Sequence, residues 1–279
     1  MTELVRIELY KIFRKWRTYI GFIAIGLLVA IIQMAMYFEG QNSLNFMTQN
    51  LRQSFMFVGN LLNGFFIAFL IMNTLAVHIP FLITLVAGDL LAGEATAGTY
   101  RILLTRPVSR LQVVVAKYLA GNIYTALLIL WLAVVSLGLG IILFGTGELI
   151  VIKSGSIIIF DRGDVIWRFF LAYGYATLGM SVVCSLALLF SSLVENAIGP
   201  IISTMTVIIV FLIISAINID LFRKIKPYLF INYILSWRLF FDDPISLSKV
   251  FKDVSVLLGH TLFFFGLTAV IFKRKDILS

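Results

Sequence analysis

Charge is scarce in this chain. Of 279 residues only 13% are Asp, Glu, Lys or Arg, while 61% are hydrophobic. An ordinary soluble domain has ~25% charged and ~45–50% apolar residues. Mean hydropathy is +1.03, and the 25 Phe are spread along the whole length, so neither half is a soluble domain. That composition excludes a cytosolic enzyme and a disordered protein. Cysteine is almost missing too. Cys184, the single one, cannot form an internal disulfide, which excludes a small disulfide-built secreted module. What remains is a polytopic all-α membrane protein.

Other absences narrow the chemistry. No lysine follows a glycine, so a phosphate-cradling G-x-x-x-x-G-K-[ST] loop cannot exist here, and any ATP used must be bound elsewhere. His78 and His260 are the only histidines. They form no H-E-x-x-H pair or Cys/His cluster, so no metal site is expected and each reads as a polar packing group. Carboxylates are almost absent from the long apolar runs, which argues against an ion-coupled carrier, the alternative reading of this chain as an ATPase-independent carrier or channel. The close acidic pairs Asp161/Asp164 and Asp242/Asp243 read as solvated loops and not as an enzyme's acid–base site. The net charge of +8 comes from Lys and Arg that flank apolar runs, where they meet lipid headgroups. Nucleic acid is not an expected partner; membrane lipid is.

A helix needs about 20 residues to cross the hydrocarbon core. Six runs suffice: 19–37, a stretch within 57–87 interrupted by Pro80, a stretch within 111–144, then 165–190, 197–219 and 254–272. Met1–Arg17 is charged and leads into a run long enough to span, so it reads as the flank of a first span and not as a cleavable signal. Arg6, Lys11, Arg14, Lys15 and Arg17, with Arg101, Arg106, Arg110, Lys117, Lys273, Arg274 and Lys275, favour both termini in the cytoplasm of a prokaryotic-type inner membrane. Arg223, Lys224, Lys226, Arg238, Lys249 and Lys252 run against that rule, because they would then face outward. Among them Tyr228–Phe241 is too short to span and suits a re-entrant or interfacial piece. Leu149–Lys153 and Ser156–Phe160 read as two strands turning at Ser154-Gly155, a small external hairpin.

The chain is thus organised as one transmembrane domain, 1–279. It contains an interfacial helix over 1–18, a connecting segment over 88–110, the hairpin region 145–164 and the external region 220–253. In the interfacial helix Val5, Leu9, Ile12, Phe13 and Trp16 share one face, with Lys11, Arg14 and Lys15 largely off it and toward headgroups. In the second span Asn63, Asn73, Thr74 and His78 either line a pathway or bond between helices. The connecting segment is a short amphipathic helix with Leu91, Ala95, Tyr100, Leu103 and Leu104 on one side and Asp89, Glu94 and Arg101 supplying charge. Pro107 ends it, and Ser109 caps the next helix.

At Glu94, Gly98, Thr99, Leu103, Leu104, Arg106, Pro107, Val108, Ser109, Arg110 and Lys117 the chain resembles the permease subunits of ABC-2 type (type V) exporters. The resemblance extends to the six spans, the basic N-terminal helix, the re-entrant piece and the Phe272–Asp276 ending. It implies that 88–110 is a coupling helix seated in a separate ATPase subunit, with Glu94, Gly98, Thr99, Arg101 and Arg106 as the contact residues. It further implies two ATPase copies that bind ATP and Mg, a second permease (the same chain in a homodimer, or a paralogue) and no catalytic residue on this polypeptide. The second and fifth spans would line the subunit interface and the substrate path.

Overall fold

The computed structural model describes residues 1–49, 61–99, 108–153 and 156–275. Among the described residues, six helical stretches are long and apolar enough to cross a membrane: Trp16–Phe46, Ile79–Thr96, Arg110–Phe144, Arg162–Leu193, Ile198–Ala216 and Leu247–Arg274. Each helix overlaps one of the six runs identified in the sequence.

Helix α1 (Thr2–Arg14) breaks at Lys15, whose extended backbone turns the chain into α2 (Trp16–Thr48). At 1.5 Å per residue α2 is about 50 Å long, well beyond a hydrocarbon core of ~30 Å. The next crossing is built from pieces: α3 (Gly64–Leu75), α4 (Ile79–Ala87) and α5 (Asp89–Thr96). Pro80 explains the first break. It lacks an N–H, and it sits in the first turn of α4, where that donor would have no helical partner. The sequence places the end of this span at residue 87, but the helix resumes after only Gly88 and continues as α5 to Thr96.

Helix α6 (Arg110–Ala133) opens with the expected Ser109 cap. Its hydroxyl accepts from the Gln112 amide at 3.2 Å, and the Gln112 side chain accepts from the Ser109 amide at 2.8 Å. These two bonds form a closed capping box. A π-helical turn, Val134–Gly138, joins α6 to α7 (Leu139–Phe144). Such a turn loosens the normal carbonyl pairing. Here Gln33 of α2, almost fully buried, donates to the carbonyls of Val135 and Ser136, both at 3.2 Å. The Ser136 hydroxyl meets the Tyr173 hydroxyl at 2.7 Å.

Strands β1 (Leu149–Lys153) and β2 (Ser156–Phe160) pair antiparallel, with Leu149 opposite Phe160; the turn at 154–155 lies outside the described residues. Helix α8 (Arg162–Leu193), capped by Asp161, is the central column, buried over most of its second half and packed against α4, α5, α6 and the two long helices that follow it. Helix α9 (Ile198–Ala216) follows, and then α10 (Asp220–Ile225), a 3-10 turn (Lys226–Tyr228), α11 (Ile231–Ile234) and a second 3-10 turn (Leu235–Phe241). None of these short pieces crosses. Phe230, Ile231, Ile234, Trp237 and Phe241 are buried, and Arg168 of α8 pins the piece by donating to the carbonyls of Phe240 and Asp242, both at 2.9 Å. Helix α12 (Leu247–Arg274) completes the bundle.

The bundle has two distinct ends. The hairpin end gathers the start of α3, the close of α7, the strands and the short 220–241 pieces: the Gly64 amide donates to the Gly145 carbonyl at 2.9 Å, and Lys153 pairs with Asp242. The terminal end gathers α1, the close of α5, the start of α6 and the close of α12.

At Gly64 the backbones of α3 and α7 meet. A Cβ there would come within 2.5 Å of Gly140 C and Ile141 N, main-chain atoms that cannot swing aside. Gly64→Ala is therefore expected to cost about 1–3 kcal/mol through overpacking. It should lower the detergent melting temperature, whereas Gly138→Ala, whose Cβ would meet open space, should not. An unchanged melt in Gly64→Ala would contradict the close approach.

Candidate functional site

Three elements far apart in sequence meet at the terminal end around four ionised side chains. Lys117, on the second turn of α6, is 1% exposed. Its ammonium lies 2.6 Å from Glu8 Oε2 on α1 and 3.1 Å from Glu94 Oε1 on α5. Lys11 closes the circuit, with Nζ 2.9 Å from Glu8 Oε1 and 2.7 Å from Glu94 Oε1. Carboxylates and ammoniums alternate, so the cluster is neutral and every charge has two opposite neighbours. Taking such groups out of water is costly unless each is paired and hydrogen-bonded, and here each one is. Burial works against the Lys11 ammonium, but hydrogen bonds and charge from Glu94 and Glu8 outweigh it and hold the pKa above the ordinary lysine value. Beside the cluster Asp89, its side chain 8% exposed, accepts from Lys15 at 2.6 Å and Arg17 at 3.0 Å. Between these groups lies a cavity of about 20 Å³, room for a single water.

Local sequence explains how Glu94 is aimed. Helix α5 ends at Gly98, whose φ of +64° is the left-handed conformation that favours glycine at a helix stop. The Gly98 amide bonds the Ala95 carbonyl at 3.0 Å and the Thr99 amide bonds the Glu94 carbonyl at 3.0 Å. The reversal carries the Thr99 hydroxyl onto the Glu94 carboxylate. The start of α5 is held as firmly. Buried Ser191 of α8 accepts from the amides of Leu91 and Ala92 at 3.0 and 2.8 Å and donates to the Gly88 carbonyl at 2.7 Å. Thr96 reaches the Glu195 carbonyl at 2.8 Å. Arg110 donates to the carbonyls of Lys273 and Lys275, at 3.2 and 2.5 Å, and so caps the end of α12.

Of the expected contact residues, Glu94, Gly98 and Thr99 are brought together in this turn, while Arg101 and Arg106 lie outside the described residues, as do Tyr100, Leu103, Leu104 and Pro107. Glu94 faces inward; Ala97 and Gly98, at the tip, are exposed. In α1 the apolar stripe packs through Leu9, Ile12 and Phe13, but Trp16 is 74% exposed because the chain turns at Lys15. The headgroup-facing role expected of Lys11 and Lys15 is corrected: both are drawn to buried carboxylates, whereas Arg14 makes no such pair among the described residues and lies over the Tyr10 ring. Glu8 and Asp89 are the residues that sequence reasoning missed. A signal for Glu8 existed, since it sits between Val5 and Ile12 on the apolar face of α1, where a charge must find a buried partner.

The second-span polar residues separate. Asn63, fully buried at the hairpin end, caps α3 through the amides of Phe65 and Phe66 and donates to the Glu148 carbonyl at 2.8 Å. Asn73 and Thr74 bond carbonyls of their own helix, and His78 Nδ1 lies 3.0 Å from the Thr74 carbonyl. Thr74 and His78 are exposed at the α3–α4 break.

Residues 2–277 match a family model described as ABC-2 family transporter protein. Over 63 residues the chain is 40% identical to a Bacillus subtilis (strain 168) protein named "Uncharacterized protein YhcI". The aligned stretch is 23% of this chain and 20% of that relative.

Lys117→Met would leave Glu8 and Glu94 sharing Lys11 alone. Breaking a buried pair on one side typically costs about 3–5 kcal/mol, so a large fall in melting temperature is expected. The double variant Glu8→Gln/Lys117→Met should recover part of the loss, because fewer unpaired charges remain buried. Additive losses in this double-mutant cycle would show that Glu8 and Lys117 do not interact.

Proposed function

The chain belongs to the ABC-2 transporter family, as a membrane permease of an ATP-binding-cassette transporter, and from that membership we propose that it exports a substrate using ATP hydrolysed on a separate subunit. The match across residues 2–277 carries this reading. In the proposed complex two permeases, copies of this chain, pair with two ATPase subunits that bind ATP and Mg. This polypeptide supplies no catalytic residue. Both termini lie in the cytoplasm of a prokaryotic-type inner membrane, so the terminal end meets the ATPases and the hairpin end faces out.

Segment 88–110 is the coupling element, with Gly98, Thr99, Arg101 and Arg106 in contact with the ATPase and Glu94 as its internal anchor. Two observations support this role. The exposed tip at Ala97 and Gly98 belongs to a helix stapled to α8 through Ser191. Displacement of that tip cannot be absorbed locally, because Glu94 ties it to α1 and α6 at once. ATP-driven closure of the ATPase dimer then moves α1, α5 and α6 as one body, and the bundle opens an outward path. The exposure of Thr74 and His78 beside Asn73 supports a path along the second crossing at the interface of the two copies.

The test is a mild-detergent purification of the tagged chain with ATP hydrolysis assayed on the complex. An ATPase should co-purify, and replacing 94–106 with a neutral linker should release it. Arg101→Ala should weaken association or uncouple hydrolysis while leaving membrane insertion intact. A well-folded sample with no ATPase, or full coupling in the linker variant, would overturn the reading.

A further inference from the structure

The sequence left an anomaly at the hairpin end: a cluster of Lys and Arg on the side that charge bias would leave poor in cations. Several of these charges are used internally. Arg223 pairs with Asp220, Lys153 with Asp242, and Arg238 lies over the Trp237 ring. Lys224, Lys249 and Lys252 are exposed and Lys226 is half-buried, and all four stand outside those pairs. Lys249 lies close enough to Lys153 that, after burial, its charge is the second influence lowering the Lys153 pKa. Residues 220–253 hold six Lys and Arg against four Asp, of which Asp253 is buried, so the exposed side of this segment is electropositive.

Beneath it an open aromatic groove of about 470 Å³ runs between α9, the 226–230 segment and α12. Phe211, Phe230, Val256, His260, Phe263 and Phe264 line it. Phe211 and Phe230 meet edge to face at 5.4 Å, and His260 Nε2 lies 3.1 Å from the Tyr228 carbonyl, which ties the segment to α12. Helical spacing joins groove and charge. Lys249, Lys252, Val256, Gly259 and Phe263 recur every three or four residues, with His260 beside Gly259, and so form one stripe along α12. From Lys252 to Phe263 the rise is about 16 Å, close to half of a ~30 Å hydrocarbon core, the depth of one leaflet. Asp253, the nearest carboxylate in sequence, is 4% exposed and does not neutralise the stripe from outside.

We propose that this groove is a binding site for an anionic phospholipid of the leaflet at the hairpin end, its phosphate held by Lys249 and Lys252 with Lys224 and Lys226 alongside, and its acyl chain laid along Val256, Gly259 and Phe263. Charge complementarity selects the headgroup. An aromatic channel one leaflet deep selects a chain and not a free anion. The site stands apart from the terminal-end cluster, so its fate does not depend on an ATPase partner.

The experiment is native mass spectrometry of the purified full chain, equilibrated in micelles with equimolar phosphatidylglycerol and phosphatidylcholine of the same acyl composition. Each lysine near a membrane surface is worth roughly a fivefold preference for anionic lipid. Wild type should retain phosphatidylglycerol preferentially, and Lys249→Gln/Lys252→Gln should bring the two lipids near parity. Gly259→Leu, whose Cβ would meet open space, fills the groove without disturbing the fold and should reduce retention of both. Gly174→Leu on α8, also open at its Cβ, should behave as wild type. Equal retention of both lipids by wild type, or wild-type behaviour in both site variants, overturns the proposal. So does displacement of the lipid by millimolar inorganic phosphate, which would mark an anion site independent of the chain. A dimer lost in Gly259→Leu with lipid retention unchanged would assign the groove to a second copy and overturn it as well.

Discussion

The terminal end of this bundle depends on one arrangement: two carboxylates and two ammoniums, alternating, with Glu8, Glu94 and Lys117 largely removed from water and Lys11 at the rim. In low dielectric an isolated charge is far more costly than a lost hydrophobic contact, so the cluster is stable only when complete. Completeness requires α1, α5 and α6 to be present together, because Glu8, Glu94 and Lys117 come from one each. Hydrophobic packing alone would let these helices slide, since lipid and Leu are equally apolar. Paired charges fix both distance and register, and so they set where α5 ends and which way its tip points.

Several described residues of the family-like signature share a task internal to the chain. Gly98 turns the backbone, Thr99 returns to Glu94, Ser109 starts α6, Arg110 closes α12 and Lys117 completes the cluster. The spacing of the motif is thus the spacing needed to knit four helices at one membrane face. A partner that grips the exposed tip grips the whole knot.

Much of this was legible in the sequence, for physical reasons that differ by element. The long crossings follow from apolar length, the break near Pro80 from its missing N–H, the two strands from their β-branched runs and the Ser109 cap from its place after Pro107. The Tyr228–Phe241 piece is too short to span, and it is broken into a four-residue helix between 3-10 turns. What stayed hidden are pairings between distant residues. Lys11 and Lys15 carry the composition of a headgroup-facing flank, and nothing nearby in sequence announces Glu94 or Asp89 as their partners. Gln33 looks like a neutral residue in an apolar run until a π-turn on another helix presents two free carbonyls. Asn63 has the helical phase of a pathway residue, but it precedes the helix and caps it.

Glu8 and Lys117 are 109 residues apart, and that separation has a temporal side. At a synthesis rate of ~5–20 residues per second, roughly 5–20 s pass between the two leaving the ribosome. Throughout that interval α1 carries a carboxylate on its apolar face without its final ammonium partner on α6. It must rest where water still reaches Glu8, and its full pairing waits until the start of α6 has been made. The terminal end consequently cannot lock until Lys117 has been made, although it includes the first helix.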